Sequence, residues 1–268
     1  MCSIFGLGFL KGHTLNDEHP VREFVRELFL NSMSCGRDAS GISFISSAEM
    51  VVLKNNVKAE ILVETEEYKK AEEEYLALTG PPKVGSKIAK APPKSIIGHC
   101  RFKTKGTEKN NINNHPIVRD NVIGVHNGII ANDDTLFRMF GPKLRRNGQV
   151  DSEIIFAIIE HLVENSLASV HEAIKGASRT LIGSFACALA IKQFPYSVWL
   201  FKKGCPVDIL QYKDAGLVVW STRRMFIDRA VEKSGLSEFI GEAEEIEFGN
   251  ETGIGIDLHR NVMHKFQI

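Results

Sequence analysis

The chain opens with MCSIFGLGF, residues 1–9. The run Ile4–Leu10 is apolar but too short to span a membrane, and no basic flank or small-residue cleavage site accompanies it. It therefore reads as a buried strand. Cys2 at its head admits three readings: a small buried strand residue, a lipid or metal handle, or a nucleophile. A thiol attacks well only as thiolate, so a nucleophilic Cys2 needs a nearby base or a depressed pKa. Removal of Met1, favoured by a small second residue, would free an α-amine on Cys2 itself, with an ordinary pKa of about 8.

Lys+Arg and Asp+Glu both total 33 in 268 residues, so no global field recruits nucleic acid or an anionic membrane directly. The hydrophobic fraction of 43% and the mean hydropathy of −0.09 describe a soluble globular chain long enough to bury a full core. Small molecules and proteins remain as partners, a second copy of the chain among them. The cysteines at 2, 35, 100, 187 and 205 form no CxxC pair and no zinc-ligand spacing, which predicts neither disulfides nor a metal site. A reducing, cytoplasmic setting follows.

Apolar positions Val21, Phe24, Val25, Leu28 and Phe29 predict a helix over 20–34. GISFIS (41–46) and MVVLK (50–54) read as strands. The charged stretch 64–80 reads as a helix stopped by Gly80-Pro81-Pro82, and PPKVGSKIAKAPPK (81–94) as a mobile surface loop. SIIGHC (95–100) and VIGVHNGII (122–130) read as buried strands around a polar loop. Helices are predicted over 152–164, 169–179 and 223–235, strands over 184–192, 197–203 and 216–221, and a final hairpin-like pair over 243–259. Strands and helices come in blocks, without strict alternation, which predicts an α+β architecture with antiparallel sheets. No linker divides two composition regimes, so residues 1–268 are expected to form a single domain, with an insertion at about 66–95.

Four further segments bear on Cys2: CGRDASGI (35–42), GHCRFKTKG (98–106), NNHPI (113–117), and HNGII (126–130) with VDSEII (150–155) behind it. With MCSIFG, in this order and spacing, they resemble the class II glutamine amidotransferases. The similarity runs from Cys2 to about residue 250 and is nearest to the glutaminase half of glutamine–fructose-6-phosphate amidotransferase, with its stretches MCGI, RGYDSAG, GHTRWATHG, NAHP and HNGIIEN. The resemblance implies a four-layer αββα sandwich of the N-terminal-nucleophile hydrolase type and catalysis without metal or organic cofactor. It also implies roles for single residues. Cys2 would attack the side-chain amide of L-glutamine to give a thioester, with Asn127 and Gly128 as the oxyanion hole. Arg101 would clamp the α-carboxylate and Asp151 receive the α-ammonium. Phe102, Thr104 and Lys105 would line the substrate, Phe102 as an aromatic lid and Lys105 chiefly through its backbone. His99 and His115 read as core or loop-anchoring residues, and Asp38 with Gly41 as a tight turn beside the nucleophile.

The departures are Ser3 for the family glycine after the nucleophile, Cys35 for the arginine of RGxD, Phe102 for a tryptophan and Lys105 for a histidine. Each residue also has a plainer reading: Asp151 as a helix N-cap, HNG as a turn former, Arg101 as a solvated cation. A stand-alone glutaminase subunit is the function expected, passing ammonia to a separate acceptor synthase. The alternatives are a catalytically silent glutamine-sensing or scaffold module of the same fold, and a hydrolase of another amide. The paired charges of Arg101 and Asp151 speak against a neutral amide.

Overall fold

The computed structural model describes residues 2–78, 91–165 and 168–268. The chain runs β1 (Ser3–Phe9), α1 (Glu18–Ser32), β2 (Ala39–Ile45), β3 (Met50–Asn55), α2 (Ala59–Leu62) and α3 (Glu66–Tyr75). It continues through β4 (Lys94–Arg101), β5 (Ile117–Val118), β6 (Val122–Ile130), α4 (Asp133–Phe140), α5 (Glu153–Asn165) and α6 (Val170–Thr180). Next come β7 (Gly183–Ile191), β8 (Ser197–Lys203), β9 (Asp208–Tyr212), β10 (Leu217–Ser221), α7 (Arg224–Ser234) and α8 (Ser237–Ile240). The last elements are β11 (Glu244–Glu245), β12 (Thr252–Asp257) and β13 (Val262–Gln267).

Among the described residues these strands form a seven-stranded sheet, β11-β9-β10-β1-β4-β2-β3, and a six-stranded sheet, β13-β12-β8-β7-β6-β5. Every ladder within them is antiparallel. Three apolar clusters fill the spaces between four layers. One packs α1, α2, α3 and α7 on the first sheet, one packs α4, α5 and α6 on the second, and the third lies between the sheets. This is the αββα sandwich.

The opening strand alternates for that reason. Phe5, Leu7 and Phe9 point to the helices, where burial of each large apolar side chain contributes ~1.5–3 kcal/mol, while Ile4 and Leu10 point between the sheets. Gly6 and Gly8 share that inner face, and a Cβ on them would collide with the Trp220 ring and Leu258. In β7, Phe185, Cys187, Leu189 and Ile191 face the helices, and Ala186, Ala188 and Ala190 face the first sheet. Small residues on the facing surfaces let the sheets approach closely. A slip of one residue would reverse both surfaces, so the register is fixed.

The predicted helix over 20–34 is α1, with all five of its apolar positions buried. The charged helix ends at Tyr75, short of Gly80-Pro81-Pro82, and that tripeptide and most of the Lys-rich loop lie outside the described residues. Residues 243–259 do not form a hairpin: β11 pairs with β9 at the edge of the first sheet, whereas β12 joins β8 in the second. The turn that such a pair would need is therefore a crossing between sheets, and the hairpin is β12–β13. Sequence reading missed α4 and β9, both short. No described helix is long and apolar enough to cross a membrane.

Candidate active site

Strand parity gathers the chemistry at one end of the space between the sheets. Ile4 and Ile97 belong to the inner cluster, so Cys2, His99 and Arg101, two or four residues away on β1 and β4, face the same way. Ser3 pairs with Cys100, and one step along this antiparallel register Cys2 draws level with Arg101. From the facing sheet, Ile123 and Val125 point inward, and Asn127 continues their row.

Cys2 is half-buried, and its Sγ lies 3.3 Å from both the N and the O of Phe102. Burial pushes the thiol above its ordinary range; the Phe102 N–H and the Arg101 charge oppose this, and the Asp151 charge adds to it. The strand-end segment 101–103 is pinned from below. Asp38 Oδ2 accepts from the Lys103 N–H at 2.7 Å, and a Cβ at Gly36 would collide with the Arg101–Phe102 peptide. Gly41 is not part of a turn. It lies within β2, where a Cβ would strike the His115 carbonyl oxygen. Ser3 is fully buried in an extended strand with no positive φ, so the backbone tolerates a side chain where the family has glycine, and its Oγ has no hydrogen-bond partner among the described residues. Cys35 is half-buried against the α1–α7 side of the first sheet, and Arg37 is exposed.

Arg101 is 2% exposed. Its Nη1 donates to Asn114 Oδ1 at 2.7 Å, and its Nη2 donates to the carbonyls of Lys105 and Gly106 at 2.7 and 2.8 Å. Those three bonds leave two of the five guanidinium N–H groups for another acceptor. The plainer reading of Arg101 as a solvated cation is thereby excluded. Phe102 and Thr104 are exposed beside it. The Lys105 side chain turns away from Arg101 and bonds Asp133 Oδ2 at 2.6 Å and Asp134 Oδ2 at 2.9 Å. Arg146 binds the same two carboxylates. The loop 102–106 is thus latched to the start of α4.

Asp151 is buried and its Oδ2 accepts from the Ile130 N–H at 2.8 Å, so its side chain ties the end of β6 and does not cap α5. HNG is no turn; it lies inside β6. Gly128 has a φ of 148°, and a Cβ there would collide with the Ser184 carbonyl, so only glycine suits the position. Asn127 is 1% exposed, and neither its Nδ2 nor its Oδ1 has a hydrogen-bond partner among the described residues. A buried amide in that condition costs ~1–3 kcal/mol, and a ligand oxygen or a developing oxyanion would satisfy it.

Behind these groups sit three buried histidines. His99 Nε2 meets the His126 carbonyl oxygen at 3.0 Å, the His99 and His115 rings stack at 4.1 Å, and His126 Nδ1 meets Ser152 Oγ at 2.8 Å. Burial holds His99 down to about 3 and lowers His115 and His126 as well, so all three are neutral. Among the described residues no group of His, Cys, Asp and Glu is arranged to hold a metal ion. Sequence reading missed Asn114, the latch from Lys105 to Asp133 and Asp134, and the His126–Ser152 pair. The density of asparagines in 110–114 was the available signal. Asn113 and Asn114 use their amides to bind the backbone of the 107–108 loop and of Gln149.

No family model matches this sequence. Glutamine–fructose-6-phosphate aminotransferase of Streptococcus agalactiae serotype V is 33% identical over 114 residues, 42% of this chain and 19% of that protein. The enzyme of the same name from Neisseria meningitidis serogroup A is 30% identical over 165 residues, 52% of this chain and 26% of the relative. Among solved structures, glutamine phosphoribosylpyrophosphate amidotransferase from B. subtilis, complexed with ADP and GMP, superposes with a TM-score of 0.64 at 16% identity. That match covers 99% of this chain and 49% of the other, so the chain spans about half the length of its structural neighbour and at most about a quarter of these curated relatives. The chain is thus similar in sequence to a part of glutamine–fructose-6-phosphate aminotransferases, and its sandwich has the fold of the matching half of glutamine phosphoribosylpyrophosphate amidotransferase.

Proposed function

We propose that this chain hydrolyses L-glutamine to glutamate and ammonia with Cys2 as nucleophile. The observation that carries the reading is the convergence of Cys2, the buried Arg101 with two donors to spare, and the unpartnered Asn127 amide at one end of the inter-sheet space. Once Met1 is removed, the α-amine of Cys2 takes the thiol proton as sulfur attacks the substrate's side-chain carbonyl carbon. The carbonyl oxygen becomes an oxyanion, held by the Asn127 amide and the Gly128 N–H. Collapse breaks the C–N bond, the borrowed proton leaves with ammonia, and a γ-glutamyl thioester remains. Water then attacks the thioester, releasing glutamate and restoring the thiol.

Arg101 holds the substrate α-carboxylate and Asp151 its α-ammonium, while Phe102, Thr104 and the Lys105 backbone form the wall around them. The base on Cys2 matters because burial disfavours a standing thiolate; the proton must move during attack. The relatives are named for amino transfer to fructose 6-phosphate, and the match covers only a minor part of them. We infer that ammonia from this chain passes to a separate acceptor synthase. Cys2→Ala should abolish glutamate release from glutamine while the protein still melts cooperatively; an unchanged rate would discard the mechanism.

A further inference from the structure

Away from these residues lies a concavity of about 640 Å3, whose walls include none of Cys2, Arg101 and Asn127. Ile112, Ile117 and Val118 form one side, and Ile112 and Val118 are 51% and 43% exposed, unusual for large aliphatic residues. Lys54 and Arg145 form another. Two further charges on the wall are already spent. Arg146 is paired with Asp133 and Asp134, and Glu153 takes Arg119 together with the N–H groups of Asn147 and Gly148. Lys54 is different. Its Nζ meets only the carbonyl oxygens of Asn114, at 2.7 Å, and Pro116, at 2.9 Å, with no carboxylate bound to it. Burial, with the Arg101 charge adding to it and the Glu153 charge opposing it, holds its ammonium down to about 8. The Arg145 guanidinium forms no ion pair among the described residues, and Asp120 is the one carboxylate on the wall not taken up by another group.

We propose that this groove binds a small amphipathic anion, a phosphate or carboxylate on a compact apolar body, with the anionic group on Lys54 and Arg145 and the body on Ile112 and Val118. Such an anion supplies Lys54 with the direct ion-pair partner that Glu153, already taken by Arg119, Asn147 and Gly148, does not. It also reaches the first site, because Asn114 accepts from Lys54 through its backbone oxygen and from Arg101 through its side chain. Occupancy therefore changes the affinity for glutamine, and glutamine changes the affinity for the anion by the same factor. This second part rests on the glutaminase reading; the binding site does not.

Phenyl phosphate is the probe, with inorganic phosphate as the arm lacking an apolar body. Calorimetry on the full chain should give tighter binding for phenyl phosphate, weakened about tenfold, ~1.4 kcal/mol, in Arg145→Gln, and methyl resonances of Ile112, Ile117 and Val118 should shift on titration. No binding, or equal binding to the Arg145→Gln variant, overturns the site. The coupling is read on Cys2→Ala, which binds without turnover: glutamine affinity should differ with phenyl phosphate present. An unchanged glutamine affinity overturns the link alone, and glutamine failing to bind under either condition sinks the glutaminase reading while leaving the calorimetric result for the groove intact.

Discussion

Asn127 is in a condition that folding alone does not explain. A buried side-chain amide with no partner lowers stability, and β6 would pack as well with an aliphatic residue at that position. On the glutaminase reading proposed above, its worth lies in what it meets during reaction. Asn127→Ala is expected to lower kcat about 10²–10³-fold with little change in KM, while the thermal midpoint holds or rises. Steady-state kinetics beside a melting curve test both halves. A variant that melts early and still turns over would assign the amide to structure and not to the oxyanion.

At the scale of elements, the latch between the 102–106 loop and α4 decides how well Arg101 is aimed. Two of its three acceptors are carbonyls of Lys105 and Gly106, and that loop is held by Lys105 on Asp133 and Asp134. Lys105 and Arg146 together hold the Asp134 carboxyl down to about 2, so the latch stays charged over the working pH range. Asp133 is the buried member, 2% exposed, and neutralising it leaves two cations sharing the exposed Asp134. Asp133→Asn should raise the KM for glutamine about tenfold, equivalent to ~1.4 kcal/mol, with a smaller effect on kcat. Kinetics at two salt concentrations check it: the variant should lose more than the parent in high salt, since its remaining pairs are exposed.

Across the whole molecule, the three buried histidines tie stability to pH. Each is held neutral in the fold below its ordinary value of 6.5, and His99 does not protonate until about 3. The unfolded chain binds these protons from 6.5 downward, the folded chain does not, so the stability present above 6.5 is lost progressively on acidification. His99, held to about 3, contributes a slope that approaches roughly 1.4 kcal/mol per pH unit below 6.5, and His115 and His126 add to it in the same direction. The urea midpoint should therefore drop steeply between about pH 7 and about pH 5, and a flat profile would mean that the cluster is hydrated and titrates normally.

Much of this was legible along the chain, and the reason is periodicity. FGLGF and FACALAI alternate large and small because one strand face meets helices and the other a second sheet, and the helix over 20–34 repeats its apolar stripe for the same cause. Five short collinear motifs carried the proposed site, since each is local information. Pairing between distant strands is not local. That 243–259 divides between two sheets, that Asn114 holds Arg101, and that Lys105 turns to Asp133 and Asp134 all depend on which segments meet across the sandwich. Nor could the groove at Lys54 be read from the sequence, because its walls come from three separated stretches. Local pattern determined the strands, the helices and the residue types they carry; only the closing of one sheet on the other decided which charges are paired and which lack a direct ion-pair partner among the described residues.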